Sequence, residues 1–273
     1  MLDNSVLAGE IVRHGAYVCV RLADGADARG AAAVAIPALA DKLGLVNEFE
    51  PAQGPPSQAI AYLRRHGATA GAVADDGVAQ ADLVMHIAAP TGQPVSDFCG
   101  EATRLLGSLA RLRVIGGVVR PRVYTGAAMN NFAYAHQVVQ RPGRLMPNAF
   151  LLPMNKTAAW WAKDWMERHT YFLPRYDDEG RMKNEGHALA SAAGISCLLR
   201  RTYKATTEPA PDGAYDFVTY FECADADVPT FHQVCASLRD VAKNPEWKFV
   251  REGPMWQGRR VAAWADVFSG RAT

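Results

Sequence analysis

In the first half of the chain, the apolar run Ala16–Leu22 predicts a strand and the Ala-rich stretch at about Ala26–Leu45 a helix. Strands are expected near Thr69–Ala74 and over Ala81–Ala88. At about Val95–Leu112, Phe98, Ala102, Leu105, Leu106 and Leu109 recur on one helical face, and a strand at Val114–Val123 closes the half. The order is β-α-β-β-α-β. The second half repeats it: a strand at Ala149–Met154, a helix over Asp178–Ala193, and paired strands at Ile195–Thr206 and Tyr215–Cys223. A helix at about Val228–Asn244 follows, with Phe231, Val234, Cys235, Leu238 and Val241 in one stripe, and Lys248–Val261 is the last strand. The Pro-rich stretch Glu48–Ser57 reads as a linker within the first half, and Thr125–Asn148 as the joint between halves. The predicted fold is α+β, built from duplicated ferredoxin-like β-α-β-β-α-β units in the manner of dimeric α+β barrels. The units are assigned to residues 1–140 and 141–273, as two four-stranded sheets each backed by helices.

Composition narrows the function. Hydrophobic residues make up 49% and charged residues 21%, with a net charge of +1. That balance excludes the clustered basic surface of a nucleic-acid binder. No segment reaches the roughly 18 apolar residues of a membrane span, and the N-terminus lacks the regions of a secretory signal. Cys19, Cys99, Cys197, Cys223 and Cys235 are odd in number and scattered. They read as reduced core thiols of a cytoplasmic protein.

The chain has no phosphate loop, dinucleotide fingerprint, nucleophile elbow or HExxH helix. None of its histidines pair at metal-site spacing. A single-histidine haem site needs only one protein ligand on its proximal side, and His187 is the best candidate: on the predicted helix it points away from the stripe of Met182, Leu189 and Ala193. Taken alone it reads first as a solvated surface histidine. Arg200 alternates with Leu199 and faces one side of its strand, Arg201 the other; one of the two is expected to be a surface charge. Glu246 precedes Trp247-Lys248-Phe249 and is placed to accept the second ring N–H of a ligating histidine. The dense aromatics Trp160, Trp161, Trp165, Tyr171 and Phe172 suit either a core or a macrocycle pocket.

The order and spacing of several segments resemble the chlorite dismutase superfamily. LLPMNKTAAWW resembles its strand, Lys turn and aromatic pair, and YFLPRYDDEGRMKNEGH the helix that delivers a proximal histidine. ISCLLRRTYKAT, YDFVTYFE, VPTFHQVCASLRD and EWKFVREGPMWQG follow in the family's order. The resemblance is strong over about 149–260 and weaker before. It implies a haem b (iron) cofactor in the C-terminal unit, with His187 as axial ligand, Glu246 as its hydrogen-bond partner and Arg200 as the distal arginine. Lys156 and Tyr124 would lie near the haem edge. Counting from Leu238 instead puts Lys243 in the place of Glu246, but a lysine cannot accept the bond.

The implied activity is conversion of chlorite to chloride and dioxygen through a ferryl intermediate. The implied partners are a small chlorite- or peroxide-like anion and further copies of the chain in a homo-oligomer. Coproheme decarboxylases of the superfamily carry a catalytic tyrosine where this chain has Leu152, and tend to lack the arginine present here as Arg200. Both positions favour the chlorite-degrading branch. A peroxidase or oxygenase of the same superfamily, and a non-catalytic binding module, are the alternatives. The chain departs from the pattern between Trp161 and His187, where WAKDWMERHTYF lengthens it by about a dozen residues. Either Trp160-Trp161 or Tyr171-Phe172 then serves as the pocket's aromatic pair, and the insertion is expected to reshape substrate access.

Overall fold

The computed structural model describes residues 13–24, 31–46, 59–67, 77–119 and 146–268. In the first half these form strands β1 (Arg13–Leu22), β2 (Ala61–Arg65), β3 (Leu83–Ala89) and β4 (Ala110–Val119), with helices α1 (Ala31–Lys42) and α2 (Gly92–Leu106). The second half contributes β5 (Asn148–Lys156), the short helices α3 (Ala158–Trp161) and α4 (Trp165–Thr170), and the hairpin β6 (Arg175–Tyr176) and β7 (Met182–Asn184). It continues with α5 (Gly186–Ala190), β8 (Leu199–Lys204), β9 (Phe217–Cys223), α6 (Val228–Arg239), β10 (Val250–Glu252), β11 (Trp256–Val261) and α7 (Trp264–Val267).

The halves do not form two separate sheets. Their strands run β10-β5-β11-β2-β3-β1-β4-β8-β9, and β9 pairs again with β5, so eight of them close into a ring. All of these pairings are antiparallel. The seams between halves are β2–β11 and β4–β8. At the second, Gly117 allows the approach: a Cβ there would lie 2.7 Å from the Lys204 carbonyl carbon.

Each strand has one face inside the ring and one outside. Tyr17, Leu63, Val84, Leu151, Leu199, Tyr203, Val218, Tyr220 and Trp256 fill the interior. Outside the first half, α1, α2 and α7 cover Val18, Met85 and Ile87 with Ile36, Phe98 and Trp264. Outside the second half, α6 lays Phe231, Val234, Cys235 and Leu238 on Phe150 and Phe221. Phe150 and Phe231 stack at 3.7 Å.

Several elements differ from the periodicity reading. The helix expected over Asp178–Ala193 is a hairpin followed by the five-residue α5. Helix formers abound there, but Gly180 and Gly186 take φ of +77° and +63°, which no right-handed helix accommodates. The expected last strand breaks at Gly253–Pro254 into β10 and β11, after a 3-10 turn at Pro245–Phe249. α6 stops at Arg239, where Asn244 Nδ2 donates to the Leu238 carbonyl, and Val241 is left exposed. In the first half the second strand is Ala61–Arg65; the expected strand at Thr69–Ala74 lies outside the described residues.

The ring interior is not wholly apolar. His86 is fully buried with Nε2 2.6 Å from the Tyr203 hydroxyl. Tyr220 donates to Glu222 at 2.6 Å, and Arg260 reaches the same carboxylate. Arg201 also belongs here: it alternates with pocket-facing Arg200 between inward-facing Leu199 and Tyr203, and its charge acts on His86. The expectation of a surface charge therefore fails for Arg201.

Burial, followed by the charges of Arg201 and Arg260, pushes the His86 pKa well below the ordinary imidazole value. The unfolded chain therefore takes up a proton near pH 6.5 that the folded chain refuses. Stability present above that pH is lost as pH falls below it, by up to about 1.4 kcal/mol per pH unit. Urea melts should therefore show lower stability at pH 5 than at pH 7.5, and His86→Gln should flatten that difference.

Candidate active site

The outward faces of β5, β8 and β9 form the floor of a cavity of about 250 Å³. Strand alternation sends Leu152, Met154 and Lys156 into it from β5, Arg200, Thr202 and Lys204 from β8, and Phe217, Thr219 and Phe221 from β9. Cys235, Leu238 and Arg239 of α6 form one wall, and Trp160, Trp161, Trp165, Arg168, His169 and Phe172 another.

His187 enters from α5. Its backbone is fixed by the inserted segment, for His187 N donates to the Tyr171 carbonyl and Ala188 N to that of Phe172. Phe172 also packs on the imidazole, with ring centroids 5.4 Å apart. The 3-10 turn brings Glu246 beneath it: Oε2 lies 3.1 Å from His187 Nδ1, and Oε1 accepts from Lys156 Nζ. Both side chains of this ion pair are buried, and the Lys156 ammonium sits 4.3 Å from the Trp160 ring centre.

Burial alone would raise the pKa of Glu246. The Lys156 charge and the His187 contact outweigh it and hold the carboxyl at about 2. A carboxylate only accepts. In the neutral imidazole Nδ1 therefore carries the proton, which leaves the ring lone pair on Nε2. Lys243, the other sequence candidate, makes different bonds: its carbonyl accepts from the amides of Glu185 and Gly186.

Asp216 organises the same wall. It is buried and accepts from the Lys156 amide at 2.6 Å, the Ala210 amide at 2.7 Å and Trp161 Nε1 at 3.3 Å. Trp161 in turn stacks on Phe217.

Comparison with solved structures identifies this architecture. A tryptophan-to-phenylalanine variant of chlorite dismutase from Candidatus Nitrospira defluvii, in complex with cyanide, superposes with a TM-score of 0.67 at 18% identity, over 98% of each chain. Chlorite dismutase from the same organism in complex with imidazole gives 0.65 at 19% identity, over 95% of each chain. The fold is that of the chlorite dismutases. No family model matches the chain, and no curated protein does.

On this fold the sequence-predicted residues divide clearly. His187, Glu246, Lys156, Arg200, Trp160, Trp161 and Phe172 all line one cavity. Tyr171 does not; it packs behind the wall against Trp160 and Phe249. Both aromatic pairs thus contribute, the first through both members and the second through Phe172. Tyr124 lies outside the described residues. Lys156 is bound to Glu246 rather than standing alone at an edge.

Sequence reasoning named Trp165 among the aromatics suited to a core or a macrocycle pocket, but it did not place Arg168 or His169 there. The insertion had no pattern to match, so only its length signalled a role. Among the described residues there is no cluster of three His, Cys, Asp or Glu side chains fit to hold a metal. No helix there is long and apolar enough to cross a membrane.

Proposed function

We propose that this protein is a haem-dependent oxidoreductase that converts chlorite to chloride and dioxygen, in which His187 would hold the haem iron. The observation that carries the reading is the His187–Glu246–Lys156 chain at the wall of an apolar cavity. The donor set fits haem: one histidine with its tautomer fixed by a buried carboxylate, and flat apolar surfaces from Leu152, Trp160, Phe172, Phe221 and Leu238. When bound, the haem supplies the iron-centred redox chemistry, and the protein supplies ligand, charge and a dry site. Glu246 holds the proton on Nδ1 and raises the basicity of Nε2. Lys156 keeps Glu246 ionised. Arg200 offers a charged donor that attracts a small oxyanion and retains an anionic product until it reacts further. Leu152 offers no phenol, which favours this reaction over one that needs a tyrosine there.

We read the two halves as duplicated ferredoxin-like units. The support is their equal strand order, β4-β1-β3-β2 in one and β11-β5-β9-β8 in the other.

Hemin titrated into the purified protein should give a Soret band that His187→Ala abolishes or shifts. The loaded protein should release dioxygen from chlorite at an oxygen electrode. A His187→Ala protein with an unchanged spectrum would sink the haem reading. Arg200→Ala is expected to keep the Soret band but to lose turnover and bleach within fewer cycles; equal lifetime counts against its role. One observation favours a second reading, a peroxidase or oxygenase acting on an organic molecule: the inserted segment supplies Trp165, Arg168 and His169 to the cavity. Peroxide-dependent oxidation of an aromatic substrate without dioxygen release from chlorite would select it.

A further inference from the structure

Arg168 stands on α4, within the inserted segment, and lines the cavity half-buried. Its guanidinium lies over the Trp161 ring, 5.5 Å from the centroid. Its Nε is shielded from solvent and has no hydrogen-bond partner among the described residues. Among the described residues, no carboxylate pairs with it. The neighbouring cations differ: Lys156 is held by Glu246, Lys163 by Glu167, Lys204 by Glu208 and Arg239 by Glu252. A shielded guanidinium N–H without an acceptor is unfavourable, and it becomes favourable when a ligand brings the acceptor. The stacked, planar fork suits a two-oxygen acceptor better than a lysine would.

We propose that Arg168 anchors a carboxylate-recognition subsite at this cavity. It takes the carboxylate of a flat apolar ligand whose ring packs among Trp161, Trp165 and Phe172. His169 lines the cavity beside it as a second polar group. The carboxylate has two possible sources: a propionate of the haem, or an organic acid. The first rests on the haem reading above; the second does not.

Calorimetry on the full chain and its Arg168→Gln variant tests the subsite with two matched pairs, hemin against hemin dimethyl ester, and 2-naphthoate against 2-naphthamide. The wild-type protein should prefer the acid in at least one pair by about ten- to a hundredfold, and Arg168→Gln should erase that preference. Discrimination in the hemin pair assigns the carboxylate to the cofactor, and discrimination in the naphthyl pair to an organic acid. Thermal midpoints should match closely, because the variant removes a cation that no carboxylate among the described residues pairs. A preference that survives Arg168→Gln, or no preference in either pair, overturns the subsite. If hemin fails to bind while naphthoate discriminates, the haem reading falls and the subsite stands. If hemin binds through His187 and neither pair discriminates, the reverse holds.

Discussion

Glu246→Ala is expected to destabilise the protein by about 3–5 kcal/mol, because it strands the buried Lys156 ammonium without a counter-charge. It should also weaken haem binding by about 10- to 100-fold, the usual consequence of removing a carboxylate that orients a ligating imidazole. The two effects separate in a double variant. Adding Lys156→Met removes the stranded charge and should recover most of the stability. Haem affinity should stay low, because His187 Nδ1 still lacks its acceptor. Chemical denaturation and hemin titration on the same preparations check both. Equal haem affinity in wild type and Glu246→Ala would remove Glu246 from the site.

The same carboxyl sets an acid limit. Its folded pKa lies below that of the unfolded chain, so its contribution is complete above about pH 4.5 and declines as pH falls toward about 2. The His86 loss begins near pH 6.5, so it sets in before this one as pH is lowered.

Gly186→Ala is expected to cost about 2–5 kcal/mol and to displace His187. Two terms add. The backbone at Gly186 has φ +63°, which costs a residue with a Cβ about 1–2 kcal/mol. That Cβ would also lie 2.6 Å from the Leu173 carbonyl carbon, a main-chain atom, and overpacking of this kind costs about 1–3 kcal/mol more. The close approach exists because the backbone of α5 is hydrogen-bonded to Tyr171 and Phe172. Relief therefore requires the inserted segment and the His187 helix to part. Thermal melting should show the loss, and a hemin titration should show weaker, altered binding. Gly180→Ala carries the conformational term but meets no neighbouring atom within 4 Å, so it should be milder and leave the haem spectrum intact.

Long regular elements were legible along the chain. The Phe98–Ala102–Leu106 and Phe231–Val234–Cys235–Leu238 stripes are the buried faces of α2 and α6. Their residues repeat at the helical period because each helix covers one face of a sheet. The region around His187 was not legible in the same way. Its helix-forming composition is overruled by two left-handed glycines, and periodicity does not register backbone sign. Likewise, Gly253 and Pro254 break the last strand within a run that otherwise reads as continuous.

The site shows the same division. Residue type together with the family resemblance in segment order singled out His187, Arg200 and Glu246, and strand alternation put Arg200 and Arg201 on opposite faces. Which face was the cavity and which the barrel interior depended on ring closure, through β5–β9 and the two seams between halves. The choice between Glu246 and Lys243 was settled by a 3-10 turn that aims one side chain at His187 and leaves the other with its carbonyl on Gly186. The role of Lys156 as partner of Glu246, and the arrival of Arg168 at the pocket, join residues from distant parts of the chain. The sequence by itself therefore determined the long regular elements and the chemical inventory, because periodicity and residue type are local properties. Only the tertiary structure decided which charges are paired, since pairing depends on distances set by closing the barrel.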